Sequence, residues 1–113
     1  MKSRSYRFAI VTALILVAMS ASQFSFSADH APVAVKIDNF SFSPQTITVA
    51  VGTEVIWTNQ DDIPHTVVSD DKTTFKSKAL DTDDKFSFTF SKPGTYPYFC
   101  SIHPKMTGQI VVQ

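Results

Sequence analysis

Four side chains in this sequence carry donor atoms at spacings that suit a metal ion. Three stand close together in Cys100-Ser101-Ile102-His103-Pro104-Lys105-Met106, and Cys100 is the chain's only cysteine. A thiolate, an imidazole and a thioether, each separated from the next by two residues, are ligands that soft or borderline metals accept together. Copper cycling between its two oxidation states matches that set best. A second imidazole is needed, and His65 offers one within the hydrophobic segment Pro64-His65-Thr66-Val67-Val68. Singly, each residue has an ordinary role. His65 would be a hydrogen-bonded core histidine, Met106 a gap filler, His103 a loop residue and Cys100 a small buried hydrophobe. The combination is specific where no member is.

The lone cysteine adds weight. Disulfides are the usual use of cysteine in oxidising compartments, and one residue cannot form an internal bridge. An export leader places this chain in such a compartment. Lys2, Arg4 and Arg7 are followed by an almost unbroken apolar run from Phe8 to Met19, after which Ser and Ala become frequent. That layout is a secretory signal peptide over residues 1–28, and the run is shorter than the roughly 20 residues a spanning helix needs. Small residues favour cleavage after Ser27 or Ala28, with cuts after Ser20 or Ser22 as alternatives. The expected product is a periplasmic protein of one domain, residues 29–113, with no stable membrane anchor. Cleavage after Ser27 leaves Ala28-Asp29-His30 at the terminus. Its amine, two amides and imidazole suit square-planar Cu(II) or Ni(II), and a metal-free terminal histidine is the plainer alternative.

The whole chain balances ten basic against ten acidic residues. Without the leader, seven lysines face ten acids, a formal net charge of −3. There is no basic stripe, so nucleic acid is not an expected partner. Seven acids lie between Asp61 and Asp84. They read as a solvated loop or, less plainly, as an acidic face that steers a partner.

The elements that must position the donors read as strands. Val33, Val35 and Ile37 alternate, and Phe40 and Phe42 continue the period of two after a polar break. Ile47, Val49 and Val51 alternate up to Gly52, and Val55 to Trp57 follow. Phe86, Phe88 and Phe90 give one strongly apolar face, and Tyr96 to Cys100 and Gln109 to Val112 complete the set. Short β-branched and aromatic runs between Gly, Pro, Asn and Asp predict an all-β, antiparallel sandwich or barrel. Asp70 to Asp84 is the weakest segment, a loop or a short helix. Alternation along Tyr96, Tyr98 and Cys100 points Cys100 inward. The tight loop stiffened by Pro104 then returns His103 and Met106 to the same point, and His65 arrives from a neighbouring strand.

The pattern Gly94-x-Tyr96-x-Tyr98-x-Cys100-x-x-His103-x-x-Met106 resembles the copper-binding loop of the cupredoxins, the type 1 blue copper proteins. Phe42-Ser-Pro44, Val51-Gly52-Thr53-x-Val55-x-Trp57-x-Asn59 and Pro64-His65-Thr66-Val67 are similar to that family too. The likeness runs from Val33 to Val112 and is greatest to the short-loop amicyanin, pseudoazurin and plastocyanin group. It implies a Greek-key β-sandwich with one copper ion, Cu(I)/Cu(II). His65, Cys100 and His103 are then equatorial ligands and Met106 a weak axial one.

The resulting expectation is a monomeric electron carrier between redox protein partners, with His103 as the exposed ligand. It is not an enzyme, because the four ligands leave no open position for substrate. A periplasmic copper-binding or delivery protein is the alternative, although the methionine- or histidine-rich tails that would favour it are absent. A thiol enzyme would leave Met106 without a role. Two residues depart from the family pattern. Thr66 stands where many members have Asn, which predicts a differently tuned potential. Lys105 places a charge beside His103 where relatives often have an apolar residue, which alters docking.

Overall fold

Alternating apolar residues from Val33 onward become strands of two facing sheets, and the loops that carry the candidate donors gather at one end of them. The structure is a computed structural model and describes residues 30–113. The expected signal peptide, its cleavage sites and residues 28–29 of the terminal motif lie outside the described residues.

The strands are β1 (Val33–Asp38), β2 (Ser41–Ser43), β3 (Thr46–Val49), β4 (Thr53–Asn59), β5 (Val68–Ser69), β6 (Lys85–Phe90), β7 (Gly94–Phe99) and β8 (Thr107–Val112). One sheet has the order β2-β1-β4-β6 and the other β3-β8-β7-β5. Inward positions follow the period of two: Val35 and Ile37 on β1, Val55 and Trp57 on β4, Tyr98 on β7, and Ile110 and Val112 on β8 are buried. Packing two such faces together is what removes their apolar surface from water.

The pairing is not purely antiparallel. β1 runs parallel to β4, and β3 parallel to β8. The chain crosses to the second sheet for β3 between β1 and β4, and parallel neighbours require a crossover of that kind. Gly52, at φ +90°, supplies the turn into β4, a conformation that side chains disfavour.

Rings fill the middle of the sandwich. Trp57 has Phe75, Phe86 and Tyr98 at centroid distances of 5.7, 5.7 and 5.5 Å. Phe42 meets Tyr98 edge-on at 4.7 Å. Such pairs add about 0.5–1.5 kcal/mol each beyond the area they bury. Gly108 belongs to this packing, because a Cβ there would sit 2.3 Å from Tyr98 Cζ. Burial pushes the Tyr98 hydroxyl up to about 12.

Three local expectations are refined. Phe40 does not continue the alternation. It sits in the β1–β2 turn at φ 56° beside Asn39 at φ 51°, and it is 55% exposed. Of the three β6 phenylalanines only Phe90 is fully enclosed, while Phe86 and Phe88 are half-buried. Asp70 to Asp84 contains no helix. Isolated bridges at Val68–Lys76 and His65–Leu80 pin the segment to the second sheet's edge, and its Phe75 and Leu80 enter the core. Within it Asp71 is held well below the usual carboxylate range by the Ser69 hydroxyl and by the Thr74 and Thr73 donors that close the turn.

Candidate metal centre

Cys100 immediately follows β7 and is fully buried, as the alternation through Tyr98 requires. Its N–H donates to the Met106 carbonyl at 3.0 Å, and the Met106 N–H donates to the His103 carbonyl at 2.9 Å. Those two bonds curl residues 101–105 into a tight loop and return the chain to the cysteine. Met106 is buried in the same apolar cluster as Cys100.

His65 lies on the β4–β5 connection rather than in a full strand. It exchanges backbone hydrogen bonds with Leu80, at 3.1 and 2.7 Å. Asn59, buried at the end of β4, fixes that connection by donating its side-chain amide to the carbonyls of Ile63 and Leu80, both at 2.8 Å. Two residues beyond Thr66, β5 pairs with β7 through Val68 and Phe99. That register is what lays His65 and Thr66 against Cys100 across 35 residues of sequence.

His65, Cys100 and His103 each turn a donor atom toward the others, all within 4.8 Å of one another. The Nδ1 of His65 is 3.7 Å from the Cys100 sulfur and that of His103 is 3.9 Å away. His65 is fully enclosed and His103 half-buried, with Phe40 and the 48%-exposed Ile102 near it on the surface. Burial alone would push the Cys100 thiol up. The Thr66 N–H and the His65 and His103 groups outweigh it and bring the thiol from 9.0 down to about 6. A thiolate-favouring sulfur between two imidazole nitrogens, with a buried thioether in the same cluster, fits a copper ion.

The surrounding residues hold this arrangement through hydrogen bonds. Asp61 Oδ2 is 2.8 Å from His65 Nε2. An Nδ1 lone pair available to a metal requires the proton on Nε2, and the Asp61 carboxylate accepts it. The same carboxylate accepts the N–H groups of Asn39 at 2.7 Å and Phe40 at 3.0 Å. Partial burial pushes the Asp61 carboxyl up, but those backbone donors and His65 outweigh it and hold it below the usual range. Phe40, positioned by this turn, stands edge-on to both imidazoles, 5.6 Å from His65 and 5.2 Å from His103. Thr66 donates its N–H to the cysteine sulfur at 3.4 Å, and its hydroxyl accepts the Ser101 N–H at 2.7 Å.

The structure therefore brings three of the expected donors together and buries the fourth beside Cys100. Sequence reasoning gave no site role to Asp61, Asn59, Phe40 or Ser101. Asp61 stands four residues before His65 but was indistinguishable from the other acids of its run. Phe40 carried a strand-like spacing that hid its turn.

A family model described as a cupredoxin-like domain matches residues 8–112. An amicyanin of Paracoccus versutus is 31% identical over 87 residues, which is 72% of this chain and 64% of that protein. The chain thus spans a little under two thirds of that relative's length. An amicyanin-alpha of Methylorubrum extorquens is 32% identical over 116 residues, 94% of this chain and 90% of that protein. Among solved structures, a purple cupredoxin from Nitrosopumilus maritimus superposes with a TM-score of 0.67 at 34% identity. It covers 72% of this chain and 99% of its own. A copper-containing nitrite reductase from Thermus scotoductus superposes with a TM-score of 0.68 at 35% identity, covering 73% of this chain but 22% of the reductase.

Proposed function

This chain belongs to the cupredoxin-like family, and from that premise we propose that it is a one-electron carrier whose copper ion is held by His65, Cys100, His103 and Met106. The observation that carries the assignment of ligands is the convergence of two Nδ1 atoms on one buried sulfur. Copper bound there supplies one-electron chemistry, alternating between Cu(II) and Cu(I).

The chain's own residues prepare the site. Cys100 offers the soft, strongly donating sulfur, with the Thr66 N–H already directed at it. His65, locked by Asp61, and Met106, packed in the core, keep their places whatever the charge of the metal. His103 alone among the three converging donors reaches solvent and forms the route for the electron. Redox proteins, as donor and acceptor, dock over that histidine at the pole that exposes Phe40 and Ile102. The donor set is complete without substrate, so the chain performs no catalysis of its own. The nitrite reductase likeness is confined to under a quarter of that enzyme's chain. Residues 1–28 act as a signal peptide that delivers a monomeric domain to the periplasm.

The test is a titration of the leaderless metal-free protein with one equivalent of Cu(II), followed by visible and electron-paramagnetic spectra, with Cys100→Ser as control. An intense visible band with narrow copper hyperfine splitting, absent from the control, is the expected result. A pale spectrum that Cys100→Ser leaves unchanged removes the cysteine from the site and the carrier function with it.

A further inference from the structure

The Thr66 hydroxyl has one proton to give and two acceptors close by. Its oxygen already accepts the Ser101 N–H at 2.7 Å. Ser101 Oγ lies 2.7 Å away and Cys100 Sγ 3.8 Å. The first distance is the ordinary one for a hydroxyl pair, whereas the second is near the outer limit for sulfur. Thr66 is buried and Ser101 exposed. Ser101 can therefore send its own proton to water and accept that of Thr66, which has no such alternative.

On the copper reading above, we propose that Ser101 is a positioning residue that draws the Thr66 hydroxyl proton away from the Cys100 sulfur and so keeps the reduction potential low. A donor to the thiolate withdraws electron density from it. That weakens the bond to Cu(II) more than the bond to Cu(I) and raises the potential, a known lever at thiolate-bound copper. With Ser101 present, the sulfur receives the Thr66 N–H and little from the hydroxyl. Ser101→Ala removes the nearer acceptor, and rotation about the Thr66 Cβ–Oγ1 bond then turns the proton to the sulfur while the oxygen stays in place. The backbone N–H of residue 101 survives the substitution, so the bond tying the two ligand segments together is kept.

The experiment is a double-mutant cycle on the copper-loaded protein: wild type, S101A, T66V and the pair, each equilibrated against one redox mediator. S101A is expected to favour the reduced form about tenfold, about 59 mV for one electron. Its sulfur-to-copper absorption should move to higher energy, as weaker thiolate donation requires. In the T66V background, where no hydroxyl proton exists, S101A is expected to change neither quantity. A fall or no change in S101A, or an equal rise in both backgrounds, overturns the proposal while leaving the carrier function intact. A wild type with no intense visible band overturns both together. Thr66→Ser, which retains the hydroxyl, should restore the response to S101A.

Discussion

The ring cluster around Trp57 and the ligand pole around Cys100 share strand β7, yet different forces organise them. Trp57, Phe75, Phe86, Phe90 and Tyr98 touch through apolar surface that has no required direction. Such packing degrades in proportion to what is removed. The pole rests on directional bonds, most of them between segments far apart in sequence: Asn39 and Phe40 to Asp61 and Thr66 to Ser101, with Asp61 to His65 as a local bond within one connection. Each is worth only about 1 kcal/mol net, more where a charge takes part. Stability therefore resides mainly in the cluster, and the properties of the metal reside in the pole.

The largest effect that would break this division is Trp57→Ala. It should cost about 3–5 kcal/mol of stability in urea unfolding, while the folded, copper-loaded fraction keeps its visible band. A folded variant with an altered band would show that the rings shape the site. Gly108→Ala comes next, at about 1–3 kcal/mol by thermal or urea unfolding, because its Cβ overlaps the Tyr98 ring. Tyr98 leads directly to Cys100, so this variant should also shift the band slightly and mark where the two regions join.

At the pole, Asp61→Ala should weaken copper binding about 10–100-fold in competition with a chelator. A smaller loss of stability than Trp57→Ala is expected, and the reverse order would make Asp61 a structural residue of the cluster. The smallest effect is graded with pH. The metal-free protein holds the Cys100 thiol at about 6 against an ordinary 9.0. Between those values the unfolded chain binds the extra proton, so stability should rise with pH. The gain is complete above about 9 and lost as the pH falls through about 6. The slope is at most about 1.4 kcal/mol per pH unit. Urea midpoints for wild type and Cys100→Ala across this range test it, and the variant should lack the slope.

The cluster was largely legible in the sequence, because alternation along β1, β4 and β7 announces which residues turn inward. The convergence of candidate donors was legible for a related reason. Cys100, His103 and Met106 are close in sequence, and a tight loop is enough to gather them. What escaped was whatever depended on how one loop lies on another. Asp61 reads as one more solvated acid until the β1–β2 turn brings Asn39 and Phe40 to it. Phe40 kept the spacing of a strand while occupying a left-handed turn. Phe75 sat in a segment with no period at all, yet it fills the cluster from the side. Gly108 gave no signal, since its role is to leave room for a ring ten residues earlier.

The parallel pairing of β3 with β8 sets how the chain reaches this state. Thr46 must find Gln109 and Val49 must find Val112, with nearly the whole domain looped between them. Contacts that distant carry a large closure entropy before they return any energy, and topologies of this sort fold over milliseconds to seconds. His65 and Cys100 meet through a second long-range pairing, β5 with β7, so tight capture of the metal has to wait for that one. Copper offered to the unfolded chain would encounter separate, weaker donors, and its uptake rate should follow the rate of folding and not the concentration of the ion.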